Sequence, residues 1–127
     1  MDKRVYYKYL FIIGAFFNWI NALTFFFLSI FFPQIFTLFG IAFPPTLFFL
    51  HSLLALIFTY GIGYYIVGRD IDKNRGVVWL GVISKLLFFS FCVIYFLLGQ
   101  IPFILVALGS GDFIFACLFI EFLIKHE

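Results

Sequence analysis

The stretch Val77–Gly99, VVWLGVISKLLFFSFCVIYFLLG, decides how the rest of the chain is read. It is apolar for longer than the roughly 20 residues that a helix needs to cross a bilayer core. Yet it carries one full charge, Lys85, well inside it. Outward from this stretch the composition is of the same kind. Of 127 residues, 65% are hydrophobic and only 11% charged, and 23 are Phe. A soluble domain carries about 25% charged residues, and a chain this short has too small an interior to bury such an apolar excess. Lipid is therefore the expected solvent.

Four segments are long enough to span: about 9–32, 46–67, 77–98 and 101–124. Pro33 ends the first, Pro44 and Pro45 precede the second, and the charged loop GRDIDKNRG separates the second from the third. Gly99, Gln100 and Pro102 make the last turn, with Pro102 at the tolerated start of a helix. The expectation is an all-α integral membrane protein, a single four-transmembrane-helix bundle over residues 1–127. The basic-then-apolar start MDKRVYYKYL has the look of a signal peptide. It runs on for some 20 apolar residues without a small-residue cleavage site, so it reads as an uncleaved first span.

The Lys and Arg residues outside the spans fall on one side only. Lys3, Arg4 and Lys8 precede span one, Arg69, Lys73 and Arg75 lie between spans two and three, and Lys125 follows span four. The loops PQIFTLFGIAFPP and GQIP contain neither residue type. The positive-inside rule then places both termini in the cytoplasm. Tyr6, Tyr7, Tyr64, Tyr65 and Trp79 are expected to form the aromatic belt at that interface. PQIFTLFGIAFPP is too short to span. It reads as a short helix or turn capping the outer end, with a re-entrant loop as the alternative.

Ideal helical rise brings polar residues of all four spans to a similar depth. From the cytoplasmic ends, Lys85 and Thr59 lie roughly 12 Å in, Asn18 roughly 14 Å, and Asn21 and Asp112 roughly 18 Å. The helical faces agree. Gly14, Asn18 and Ala22 share a face, as do Gly81, Lys85 and Cys92, and as do Leu108, Gly109, Asp112 and Ala116. On span two, Ala55, Thr59 and Gly63 form a small-xxx-small pattern suited to close packing. Lys85 and Asp112 are expected to pair, and Asn18, Asn21, Thr59, Lys85 and Asp112 make up the candidate ligand-binding or ion-pair site. A pair that only assembles the bundle, or a Lys85 that snorkels to the interface, is the structural alternative. A functional layer is expected to open a crevice on the cytoplasmic side, where Lys85 lies nearest water.

Arg69, Asp70, Lys73 and Arg75 cap helices and enforce topology, and could also meet lipid phosphates or a partner's loop. His51 reads as a hydrogen-bonded interfacial residue, and bis-histidine haem ligation with His126 is excluded because the two lie at opposite ends. Cys92 and Cys117 have neither CxxC nor zinc spacing and read as small core residues. No catalytic motif, metal set or cofactor is expected. The net charge of +2 without a basic run speaks against nucleic acid.

The segments NWINAL, PQIFTLFG, GIGYYIVGRDIDKNRGVVWLGVISKL and GSGDFIFACLFIEFL together resemble those of small, mostly uncharacterised bacterial four-helix membrane proteins, loosely DoxX-like. The resemblance implies a bacterial inner membrane, with Asn18, Asp70, Asn74, Arg75, Lys85 and Asp112 as recurrent polar positions. It suggests no reaction, although some such proteins are quinone-linked subunits. The leading expectation is a non-enzymatic membrane protein, an oligomeric or accessory subunit, whose polar layer binds a small or amphiphilic ligand. A small transporter or channel using Lys85 and Asp112, and a quinone-linked subunit of a redox complex, are the alternatives. Membrane lipid, further copies of the chain or a larger membrane complex are the expected partners.

Overall fold

The computed structural model describes residues 2–126. It is all-helical among these, in the order α1 (Lys3–Phe31), α2 (Gln34–Leu38), α3 (Phe48–Arg69), α4 (Arg75–Leu97) and α5 (Phe103–Lys125). The four long helices are each apolar and long enough to cross a membrane. Their outer faces are covered with exposed Phe, Leu and Ile, such as Ile13, Phe49, Leu87 and Ile114. No aqueous surface looks like this, and the protein is an integral membrane four-helix bundle.

The bundle is built from two closely packed helix pairs, α1 with α3 and α4 with α5, which touch each other over a smaller area. Lipid offers no hydrophobic drive for helix association, so small residues that let backbones approach do much of that work. On α3 those residues are Gly61 and Gly68, which meet α1 at Trp19 and Ile12. A Cβ at Gly61 would lie 2.6 Å from Trp19 Nε1 and 3.2 Å from the Ala15 carbonyl oxygen. The expected Ala55–Thr59–Gly63 face is not the packing face. Ala55 and Thr59 are exposed, and only Gly63 meets another helix, at Val77. Gly61 and Gly68 are seven residues apart, and this two-turn spacing set the register in place of the four-residue one.

The start of α1, the end of α5 and the α3–α4 loop lie at one end, which we call the charged end. Arg4 donates to both Asp72 carboxylate oxygens at 3.0 and 2.7 Å, and His126 Nε2 lies 3.0 Å from the same Asp72. Arg75 donates to the carbonyl oxygens of Leu123 and His126, both at 2.7 Å, and so satisfies the last turn of α5. Asn74, in the left-handed region at φ 67°, makes the turn that starts α4. At the opposite end α2 forms the short helix expected there, with Phe36 buried against Phe25 of α1 and against Phe43. His51 there is 3.0 Å from the hydroxyl of Ser29, joining α3 to α1.

Candidate functional site

Midway along the bundle, Lys85 is 4% exposed and sits between the two helix pairs. Its ammonium donates to Asp112 Oδ1 at 2.6 Å and to Asn18 Oδ1 at 3.1 Å. Asn18 in turn donates through Nδ2 to the Ile57 carbonyl at 3.0 Å. One polar chain thus links α5, α4, α1 and α3. The length of the lysine stem lets it bridge the axial offset between residues 85 and 112, and it does not snorkel. Three aromatic rings surround the ammonium, Phe17 and Tyr64 at 5.3 Å and Phe115 at 5.6 Å from their centroids. Cation–π attraction of this kind adds to the ion pair in a dry setting.

The remaining polar residues are placed unevenly. Asn21 donates to the Phe17 carbonyl of its own helix at 2.8 Å, and its side-chain oxygen accepts no hydrogen bond among the described residues. Thr59, expected in the layer, is exposed and bonded to the Ala55 carbonyl one turn back. It faces out because Gly61, not Thr59, occupies the seam with α1. At the charged end, Arg69 stacks near Tyr65 and donates to its hydroxyl at 3.3 Å, and Lys73 lies 3.9 Å from Asp70. Arg75 is already committed to α5, so Arg69 and Lys73 are the more available cations of the loop. Cys92 is buried beside Gly109, whereas Cys117 is exposed on the outer face of α5 and not in the core.

Below the polar layer, toward the charged end, the bundle is filled with rings. Phe11 stacks on Phe119 at 4.7 Å, Phe122 meets both Tyr7 and Phe11, and Tyr64 lies 5.1 Å from Phe119. All five are buried. Tyr7 and Tyr64 are therefore core residues and not members of an interfacial belt. Tyr64 enters because Gly81 of α4 has no side chain. A Cβ there would stand 2.6 Å from the Tyr64 ring. The resulting contact leaves the Tyr64 hydroxyl buried with no hydrogen-bond partner among the described residues.

Above the polar layer, toward α2, lies a cavity of about 550 Å³. Asn18, Asn21, Tyr64, Lys85 and Asp112 form its floor, and Phe25, Leu54, Ile57, Cys92 and Leu105 are among its walls. Phe36 of α2 and Ile41 close the far end. Leu53 and Leu56 of α3, and Phe88 of α4, line it while being exposed, so it opens on the flank between the two helix pairs. The crevice therefore runs away from the charged end, opposite to the direction expected. The stacked aromatic layer beneath Lys85 closes the expected route. Tyr64 reads from the sequence as an interfacial residue and not as part of the floor, and the leucines and phenylalanines of the walls are not distinguished there, since a leucine facing a cavity and one facing lipid read alike.

Compared with protein families, with curated proteins and with solved structures, the chain gives no match. The site is thus defined by its own geometry: an apolar chamber of the size that holds one small ligand, ending on an ion pair.

Proposed function

We propose that this is a non-enzymatic membrane protein, an accessory or oligomeric subunit, that holds a small amphiphilic ligand in the chamber above Lys85 and Asp112. One observation carries the reading: the cavity and the polar layer coincide, so a single occupant would meet hydrogen-bonding groups at one end and apolar walls along the rest. An amphiphile has that division of character. The aromatic layer below the floor supports holding over conduction, because a transport path through Lys85 would have to displace Phe119 and Phe11. The one-sided Lys and Arg distribution supports a cytoplasmic charged end, and the resemblance to small bacterial four-helix proteins is what suggests a bacterial inner membrane.

The test is extraction. Protein purified in a mild, long-chain detergent should carry a non-protein amphiphile, detected by mass spectrometry of the organic extract in stoichiometric amount. Leu53→Trp, which places an indole on the cavity wall, should lose it while folding normally. An empty wild type, or a variant that retains the same complement, removes the proposal. Flux of ions or solutes through reconstituted vesicles, abolished by Lys85→Met, would favour the transporter reading instead.

A further inference from the structure

Resting on that reading, the geometry of the floor points to the chemical class of the ligand: we infer that the chamber takes an electrically neutral amphiphile whose head carries a hydroxyl group. The charges at the floor cancel. Lys85 and Asp112 are in contact at 2.6 Å, and no other ionised group among the described residues lines the chamber. A carboxylate head would gain Lys85 but lie against Asp112, and an ammonium head would meet the reverse. In a site walled by leucine and phenylalanine neither repulsion is screened by water, and a net charge would be left uncompensated.

The unused hydrogen-bonding capacity then sets the polarity of the head. Lys85 has three N–H donors and spends two, on Asp112 Oδ1 and Asn18 Oδ1. Asp112 Oδ2 accepts from no group among the described residues, and neither does Asn21 Oδ1, whose amide nitrogen is spent on Phe17. The Tyr64 hydroxyl, buried against Gly81 without a hydrogen-bond partner among the described residues, is out of a ligand's reach, so Lys85, Asp112 and Asn21 set the character of the floor. The floor thus offers one free donor from Lys85 beside free carboxylate and amide oxygens. A hydroxyl accepts from the first and donates to the second. An ester or ketone, having no donor, leaves the Asp112 oxygen unanswered. The flank between Leu53, Leu56 and Phe88 opens where acyl chains lie in a membrane, so the ligand arrives from the bilayer and not from water.

The experiment measures binding of a matched series to the intact chain in lipid nanodiscs: one alkyl chain length bearing a primary alcohol, a methyl ester, a carboxylate or an ammonium head. Occupancy is read by native mass spectrometry, with affinities expressed per mole fraction in the membrane so that partitioning does not enter. The alcohol should bind best, the ester about tenfold more weakly, as expected when a buried acceptor is left unpaired, and both charged heads more weakly again. Asp112→Asn should move the preference toward the carboxylate and Lys85→Met toward the ammonium. If those variants do not fold, the wild-type series alone decides. Equal binding of ester and alcohol overturns the hydroxyl assignment, and a charged head that matches or exceeds the alcohol overturns neutrality, while in both cases the chamber remains a ligand site. If no member of the series binds and Leu53→Trp alters nothing, the chamber reading itself fails.

Discussion

The two halves of this bundle are made from the same four helices and nearly the same residue types, yet one is solid and the other hollow. Toward the charged end, Tyr7, Phe11, Tyr64, Phe119 and Phe122 interlock in edge-to-face, tilted and stacked contacts, and all five are buried. Toward α2, leucines and single phenylalanines line a chamber that they do not fill. In a membrane, burial of apolar surface does not drive helices together, so contact density does. The solid half supplies that density for the whole protein, and the glycines at 61, 68 and 81 let it close. The hollow half is free to do something else. Lys85 and Asp112 lie on the boundary, as the last layer of one half and the floor of the other.

The boundary is where a substitution should cost most. Lys85→Met leaves the Asp112 carboxylate without its counter-charge, and Asp112→Asn does the same to Lys85. Breaking one side of a buried pair typically costs about 3–5 kcal/mol. Each single change should lower the unfolding midpoint in detergent strongly, and the double change should recover well over the roughly 0.5 kcal/mol within which independent effects add. Strict additivity would mean that the two residues stabilise their own helix pairs separately, and the boundary would lose its meaning.

Next in size is the same substitution made in each half. Phe119→Ala removes a ring that touches Phe11, Tyr64 and Phe115. It should cost about 3 kcal/mol, the low end of the range for a buried ring because lipid adds no hydrophobic transfer. Phe88→Ala, on the cavity wall and partly exposed, should change stability by about 0.5 kcal/mol or less and instead alter ligand occupancy. Comparable losses in thermal unfolding would show that the chamber is occupied by tightly packed material, and the contrast between the halves would collapse.

Much of this was legible in the sequence, for identifiable reasons. Helix number and the capping role of Gln34–Leu38 follow from the length of apolar runs and from proline placement. The Lys85–Asp112–Asn18 cluster follows from depth and helical face, because an intramembrane charge has few places to go. Thr59 was misplaced because Ala55–Thr59–Gly63 and Gly61–Gly68 are both small-residue patterns on one helix. Only the register against Trp19 chooses between them. Tyr64 was misplaced because its burial depends on Gly81 of a different helix. The direction of the crevice was misread for a related reason. Distance to water along the chain suggested the charged end, but the rings of Phe11 and Phe119 stand in that path, and their stacking is a tertiary fact.

The smallest effect concerns the outermost edge of the solid half. Asp72 is held by hydrogen bonds from Arg4 and His126, which lower its pKa to about 2. A carboxylate with a depressed folded-state pKa contributes stability above its ordinary value near 3.8, and that contribution is lost as pH falls toward 2. Asp72→Asn should therefore lower the unfolding midpoint slightly at pH 7, by less in high salt because the cluster is exposed. The gap from wild type should close between about pH 4 and pH 2. A gap that persists at pH 2 would mean that the aspartate acts through its shape and hydrogen bonds and not its charge. At pH 7 the same variant should leave amphiphile binding unchanged, since a layer of buried, packed rings separates residue 72 from the floor. Weakened binding would show that the charged end and the chamber are coupled, and the bundle would then have to be read as one device and not as two halves.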